Sequence, residues 1–250
     1  MIAVGLVYLG FVALFLGIVS LIKPLIFLRI RNRRQATLIV ALGLLLAVVG
    51  WVLPAKEVHV AVLRTQLDQL APVYQFNEVH SIQVAASREQ VYRAIKDVTA
   101  DEIRLFRILT WIRRGGRPSP ESILNVPEHM PILEVATRTG FLLLAEEPNH
   151  EIVVGTGVAT PPGFQPKRRP TPEEFKAVRQ PGFALATMNF LVEDAGPGVS
   201  TVTTETRVYA TDPSTRRRFA VYWRVIYPGS ALIRRMWLQA VKRRAEAPGS

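Results

Sequence analysis

Two uncharged apolar runs at the N-terminus constrain this chain more than any other feature. Residues 1–22 contain no charged side chain, and a second apolar run occupies residues 36–53. As α-helices the runs would be about 33 Å and about 27 Å long, against a bilayer hydrocarbon core of about 30 Å. Trp51 suits the lipid–water interface, and Pro54 ends the second run. The pattern predicts a two-helix transmembrane anchor over residues 1–55.

The first basic residue also bears on whether this segment is retained and how it is oriented. A cleaved signal peptide begins with a basic region, whereas the first basic residue here is Lys23 and a second span follows. The short connection between the runs is strongly basic, which places it in the cytoplasm. We therefore predict a two-pass protein of the cell (inner) membrane, with the C-terminal domain outside the cytoplasm, in the periplasm.

The positive charge of the chain does not by itself indicate nucleic acid. Of the formal net charge of +11, six positive charges lie in residues 1–56, which have no acidic residue, so +5 remains for the rest. Basic triplets occur at 167–169, 216–218 and 242–244. Anionic lipid attracts each nearby cation by about 1 kcal/mol, although solvated helix faces also carry such charges. We predict the membrane as a partner, and no nucleic acid.

The residues needed for familiar catalytic centres are missing. The chain has no cysteine, and its four histidines, at 59, 80, 129 and 150, are scattered, which argues against a metal site. Gly155 and Gly157 lack the third glycine of a dinucleotide fingerprint, and neither a phosphate-binding loop nor a nucleophile elbow is present. We predict no metal, no cofactor and no assignable catalytic residue, which favours binding over catalysis.

The remaining sequence alternates between strand and helix patterns and predicts an α+β domain over residues 76–246. Residues 56–75 have apolar positions at helical spacing and are interpreted as a juxtamembrane helix or linker. Capping boxes at Ser87 and Thr99 open two helices after the first strand. The expected order is strand 76–84, helices 87–97 and 100–114, an unassigned segment 132–138, strands 141–147 and 151–158, a proline-rich stretch 159–181 that is either a lid or a surface insertion, strands 183–193 and 200–211, and a helix 212–245 interrupted at Pro228 and Gly229.

Two segments of the sequence resemble a known superfamily. The opening, Val79-His-Ser-Ile-Gln-Val-Ala-Ala-Ser-Arg-Glu-Gln-Val-Tyr-Arg-Ala-Ile95, resembles the first strand and helix of the START-like (SRPBCC, polyketide cyclase/dehydrase and lipid transport) superfamily. The ending, from Arg218 to Glu246, is similar to bacterial members of unassigned function. The resemblance covers residues 76–246. It implies a helix-grip fold, in which a curved antiparallel sheet surrounds a long C-terminal helix and an apolar cavity that relatives use for sterols, lipids, polyketides or aromatic compounds.

Strand parity selects the polar candidates for that cavity. Glu78 and His80 share a strand face with apolar residues, and Glu205, Arg207 and Tyr209 share a face of the last strand. Inside a cavity they could orient a ligand head group or transfer protons, whereas the structural alternative is an ion pair or a solvent-facing position. The predicted ligand-binding residues are His80, Phe106, Trp111, Met188, Phe190, Glu205, Arg207, Tyr209, Tyr222, Trp223 and Met236.

Three functions fit these observations. The first is a membrane-tethered domain that binds a hydrophobic small molecule, lipid-like or aromatic, for transfer or sensing at the bilayer. The second is a cyclase or dehydratase that uses His80, Glu205 or Arg207 on an aromatic or polyketide-like substrate. The third is a structural module of an envelope complex, with a filled core. The volume and lining of any cavity distinguish the three.

Overall fold

The computed structural model describes residues 2–30, 32–165 and 168–247. Arg31 and Lys167, counted above among the basic residues, lie outside the described residues, as do Met1 and Pro166. Two compact units are present. The hairpin unit consists of Met1–Ala55 and Ala220–Tyr227, and the sheet unit consists of Lys56–Phe219 and Pro228–Ser250.

The described residues form an α+β structure with two apolar N-terminal helices, an antiparallel sheet and a long C-terminal helix, as predicted. The helices are α1 (Ile2–Ile22), α2 (Arg33–Val52), α3 (Gln66–Leu70), α4 (Arg88–Asp97), α5 (Phe106–Arg113), α6 (Ile132–Thr139), α7 (Pro172–Ala177) and α8 (Pro213–Ala245). The strands are β1 (Val58–His59), β2 (Val73–Tyr74), β3 (Phe76–Val84), β4 (Leu142–Glu147), β5 (Glu151–Ala159), β6 (Ala184–Gly196) and β7 (Val199–Ala210).

Helices α1 and α2 pack closely because glycine lies where their backbones meet. A Cβ at Gly10 would lie 2.5 Å from the Ala47 nitrogen, and one at Gly43 would lie 2.6 Å from the Leu14 nitrogen. Small residues at a close helix crossing are typical of helices that associate in lipid. The large side chains point outward instead, and Phe15 and Leu38 are among those that remain exposed. Both helices are long and apolar enough to cross a membrane.

Helix α8 does not break at Pro228, so the predicted interruption there is wrong. Proline lacks the N–H that would bond to the carbonyl four residues earlier, and this loss is what normally ends a helix. The carbonyl concerned is that of Arg224, and it accepts a hydrogen bond of 2.8 Å from the Tyr8 hydroxyl instead. The replacement partner comes from a residue 216 positions away, which is why the local sequence gave no sign of it.

The main sheet has five antiparallel strands in the order β3-β7-β6-β5-β4. Its register aligns Glu78 with Thr206 and Thr206 with Met188, so these side chains share one surface, which we call the helix face. Glu205 aligns with Val79 and Asn189 on the other surface, which we call the strap face. The predicted strand parities are therefore confirmed.

The core of the sheet unit lies on the helix face. Phe190 and Trp237 pack with ring centroids 5.0 Å apart, which joins the sheet to α8. Ile95 of α4 and Ile132 of α6 are buried in the same apolar cluster. Burial of each such side chain stabilises the fold by about 1.5–3 kcal/mol.

The strap face is covered by residues 56–75, which form more than the predicted helix or linker. Helix is limited to α3, and β1 and β2 pair with each other on either side of it. A capping box at Thr65 and Asp68 starts α3. Leu67 is buried against the sheet with Phe175 of α7. We call residues 56–75 the strap.

The helices between β3 and β4 also differ in part from expectation. Both capping boxes form as predicted, at Ser87 and at Thr99. The second opens only a 3-10 turn, Ala100–Glu102, and α5 starts after Leu105, whose left-handed φ of 56° breaks the predicted continuous helix. The unassigned segment forms α6, and α7 lies within the proline-rich stretch.

Candidate functional site

On the helix face, a chain of polar side chains surrounds the buried carboxylate of Glu78. Its oxygens accept hydrogen bonds of 2.9 Å from the Ser230 hydroxyl and 2.9 Å from His80 Nε2. Arg235 Nε donates to His80 Nδ1 at 3.4 Å. Arginine can only donate, so this contact places the imidazole proton on Nε2, facing Glu78. Serine bonds to the carboxylate rather than to the imidazole, so the arrangement does not activate a serine nucleophile.

Arg234 adds a second guanidinium beside this chain. It lies over the Trp237 ring, 5.7 Å from the centroid, and contacts the Met188 sulfur. Burial lowers the pKa of Arg234 to about 10, while the nearby Glu78 charge acts in the opposite direction. Arg234 therefore stays cationic at neutral pH and balances the buried carboxylate.

On the strap face, Arg207 is the centre of a second charged cluster. Its guanidinium donates to both Glu205 oxygens, at 2.8 and 3.1 Å, and pairs with Asp68 at 2.8 Å. It also donates to the Ala71 carbonyl and lies over the Tyr74 ring. Burial acts to lower the pKa of Arg207, but the two carboxylates outweigh it and raise the pKa. Such a fully partnered ion pair is suited to holding the strap in place.

Glu151 forms a second set of contacts between the strap and the sheet. Its buried carboxylate accepts hydrogen bonds from the backbone N–H groups of Gln66 at 2.7 Å and Leu67 at 3.2 Å. Asn189 Nδ2 donates to it at 2.7 Å. Every polar contact of this carboxylate is with the strap or the sheet, so we interpret it as structural.

The predicted site residues do not converge on one place. His80, Met188 and Phe190 lie on the helix face, and Phe190 and Met188 are each 1% exposed. Glu205, Arg207 and Tyr209 lie on the strap face. Met236 packs against the helix-face core, Phe106 is buried in it, and Trp111 is mostly exposed. Tyr222 and Trp223 belong to the hairpin unit.

Three cavities formed by described residues of the sheet unit have linings that do not include His80, Met188 or Phe190. A cavity of about 290 Å³ lies beside Arg207 and Tyr209, and one of about 470 Å³ lies beside Phe106 and Trp111. The third, of about 1210 Å³, is the largest of them. It lies between the proline-rich stretch and strands β4 to β6, and we call it the proline-loop groove.

The proline-loop groove is mainly apolar. Its apolar lining residues include Leu142, Phe164, Phe175, Val178, Phe183 and Leu185. Phe164 meets Phe183 edge to face, with centroids 4.9 Å apart, which holds the loop over the sheet. Thr171 and Glu174 form a capping box that starts α7 on the opposite wall. The sequence Thr171-Pro-Glu-Glu174 carries this capping signal, which predicts a helix start within the proline-rich stretch.

Three arginines line the same groove. Arg138 pairs with Glu121, and Arg168 pairs with Glu174, which raises the pKa of Arg168 and lowers that of Glu174. Arg169 differs, because it donates to the carbonyls of Phe141, at 3.0 Å, and Thr137. Within the described part of the chain, Arg169 has no carboxylate partner. The groove thus combines apolar walls with a cation whose charge is not neutralised.

Metal binding has no support among the described residues, where no group of three His, Cys, Asp or Glu side chains lies close enough to hold an ion. The groove itself has only one carboxylate in its lining, Glu174, and that group is paired with Arg168. The chemistry of the groove is therefore that of anion and apolar contacts.

No family model and no curated protein matches this chain. Among solved structures, it is similar to the di-domain ARO/CYC BexL from the BE-7585A biosynthetic pathway, with 19% identity and a TM-score of 0.33, over 68% of this chain and 46% of that one. It therefore spans about half the length of that protein.

Two further structures are similar at a comparable level. Protein TTHA0849 from Thermus thermophilus is 12% identical with a TM-score of 0.30, over 70% of this chain and 100% of that one. Protein MLL2253 from Mesorhizobium loti is 14% identical with a TM-score of 0.31, over 67% and 98%. Membership of the START-like superfamily stays a prediction from sequence.

Proposed function

We propose that this chain is a membrane-tethered binding protein for an amphiphilic ligand, with an apolar body in the proline-loop groove and an anionic head group at Arg169. The observation that carries the proposal is the groove itself. Its volume of about 1210 Å³ exceeds the usual range of small-molecule sites, about 300–1,000 Å³, and leaves room for a lipid-like molecule. Its apolar walls favour a hydrocarbon or aromatic body.

The head-group specificity follows from Arg169. A guanidinium binds a carboxylate or phosphate through two parallel hydrogen bonds, with both geometric fit and charge. Arg138 and Arg168 already have carboxylate partners, so a ligand anion would have to compete for them. Arg169 bonds only to carbonyl oxygens among the described residues and gains a full counter-charge from the ligand.

The tether is proposed from the two apolar helices. A core helix of a soluble protein is mostly buried, whereas the apolar window of each helix here is only 22% buried. The outward side chains suit hydrocarbon, and the glycine crossing suits association in lipid. The basic connection favours a sheet unit outside the cytoplasm. A C-terminal fusion to a phosphatase that is active only outside the cytoplasm tests this orientation, and activity restricted to cytoplasmic reporters would reverse it.

Ligand binding is tested with the full-length chain in detergent. The probes are a fluorescent fatty acid and the matching fatty alcohol, which differ only in the charge of the head group. Arg169→Ala should weaken binding of the acid about tenfold, the equivalent of about 1.4 kcal/mol, and leave the alcohol unchanged. Phe164→Asp, at an exposed position of the groove, should weaken both. Arg93→Ala, at an exposed position on α4, is the matched control.

Equal binding of both probes by wild type, Arg169→Ala and Phe164→Asp would contradict a site in this groove. Failure of the wild type to bind any apolar probe would favour the structural module instead. The cyclase alternative uses His80, Glu205 or Arg207, and none of the three lines the proline-loop groove. The sheet separates His80 on one face from Glu205 and Arg207 on the other. We therefore propose no catalytic residues.

A further inference from the structure

The segment Ala220–Tyr227 of α8 belongs to the hairpin unit, with α1 and α2. Arg224 explains why. Its side chain donates to the Gly50 carbonyl at 3.1 Å and to the Leu53 carbonyl at 2.7 Å, at the C-terminal end of α2. The last carbonyls of a helix have no intrahelical partner, and a cation there also complements the helix dipole. Arg224 therefore caps α2.

Two further contacts place the segment at the same end of the hairpin. Tyr8 of α1 donates to the Arg224 carbonyl, as described above. The Arg224 guanidinium lies 6.0 Å from the centre of the Trp51 ring. A Cβ added at Gly50 would lie 2.8 Å from the Val7 nitrogen, so the start of α1 adjoins the end of α2. The basic connection between the helices lies at the opposite end.

The segment divides into a buried and an exposed side. Trp223 and Arg224 are buried, and Arg224 contacts the end of α2, whereas Val221, Tyr222 and Val225 are exposed by 44%, 39% and 64%. Positions 221, 222 and 225 form one stripe on a helix of 3.6 residues per turn. This apolar stripe belongs to the same compact unit as α1 and α2, whose large apolar side chains are also exposed.

We propose that Ala220–Tyr227 is an interfacial segment whose Val221, Tyr222 and Val225 side chains lie in the head-group boundary of the bilayer. The occupant of the exposed stripe is lipid. Tyrosine and tryptophan concentrate at this depth, and an amphipathic helix buries its apolar side there while its polar contacts stay within the protein. The inference rests on the proposed tether and goes beyond it, because it assigns a part of the C-terminal helix to the membrane.

The chain has no cysteine, so single-cysteine variants can be labelled at one position each. The full-length protein carrying Val225→Cys or Val221→Cys is labelled with an environment-sensitive fluorophore and reconstituted in vesicles of phosphatidylcholine and phosphatidylglycerol. Leu42→Cys, near the middle of α2, reports on the span. Gln239→Cys, at an exposed position of α8 outside the segment, is the matched control. Brominated lipids quench according to depth.

The expected result is a shift of emission to shorter wavelength and loss of most emission at residues 221 and 225, with stronger quenching by bromine near the glycerol backbone. Residue 42 should be quenched more by bromine near the chain ends, and residue 239 should be quenched by neither kind of lipid. Quenching at 42 without quenching at 221 and 225 would overturn the interfacial segment alone. Loss of quenching at all of them would overturn the tether as well.

Discussion

The two faces of the sheet are both covered, but by different kinds of contact. The helix face is filled by large apolar side chains, and its one buried carboxylate, Glu78, is bonded to Ser230 and His80. The strap face is covered by a short segment, which is held by Leu67 and by the charges around Arg207 and Glu151. A long helix brings enough apolar area to hold itself, whereas a strap of little secondary structure relies on directional bonds.

The largest effect is expected from removing Arg207, the centre of the charged cluster on the strap face. Arg207→Ala leaves the buried Asp68 and the partly buried Glu205 without their cation, and breaking such a pair costs about 3–5 kcal/mol. The free energy of unfolding, from urea denaturation of the detergent-solubilised chain, should fall by this amount. Arg88→Ala, which removes an exposed pair with Asp194, should change it by less than about 1 kcal/mol. Equal effects of the two variants would show that the strap does not depend on the cluster.

The next largest effect is expected on the helix face. Met188→Ala deletes a side chain that is 1% exposed, and such a truncation costs about 2–5 kcal/mol. The prediction also separates core from ligand site, because Met188 was expected from sequence to bind ligand. If it is core, stability falls while fatty-acid binding stays unchanged after correction for the folded fraction. An unchanged free energy of unfolding together with altered fatty-acid binding would show that Met188 belongs to the ligand site. Val79→Ala, at an exposed position of β3, is the control.

The candidate site residues on the strands were predictable from the sequence only in part. Period-two alternation correctly placed Glu78 with His80 and Glu205 with Arg207, because strand parity is a local property. Whether these two pairs of side chains face the same cavity depends on the sheet register and on the elements that cover each face. That depends on contacts between distant residues, such as Arg207 with Asp68, and periodicity carries no information on them.

The strap and the proline-rich stretch were harder to predict for the same reason. Val58, Val62 and Leu63 fit a helical spacing, yet helix forms only at α3, where a capping box and the Glu151 carboxylate support it. Prolines in residues 159–181 correctly excluded a central strand. They gave no hint that Phe164 and Arg169 would line the largest of the three cavities, because the groove is created by packing against β4 to β6.

Acid should weaken the strap face through Asp68. Burial acts to raise the pKa of Asp68, but bonds from the Arg64 backbone and from Arg207 outweigh it and lower the pKa. A lowered pKa contributes stability that is present above the ordinary value of about 3.9 and is lost as the pH falls below it. The unfolding free energy should therefore drop below about pH 4, and Asp68→Asn should drop less. The curves should converge in acid, and parallel curves would exclude Asp68 as the source. Asp194→Asn, at an exposed site, is the control.

The smallest predicted effect compares one hydroxyl on each face. Ser230 donates to the buried Glu78 carboxylate at 2.9 Å, and hydrogen bonds to charged groups contribute about 1.5–3 kcal/mol. Ser81 bonds to Thr203 at 2.8 Å on the exposed part of the strap face, where water replaces the lost partner and Ser81→Ala should cost less than about 0.5 kcal/mol. Ser230→Ala should therefore destabilise the chain several-fold more than Ser81→Ala in the same urea titration. Similar costs would mean that water reaches Glu78, and the helix face would then be an accessible polar pocket rather than a sealed core.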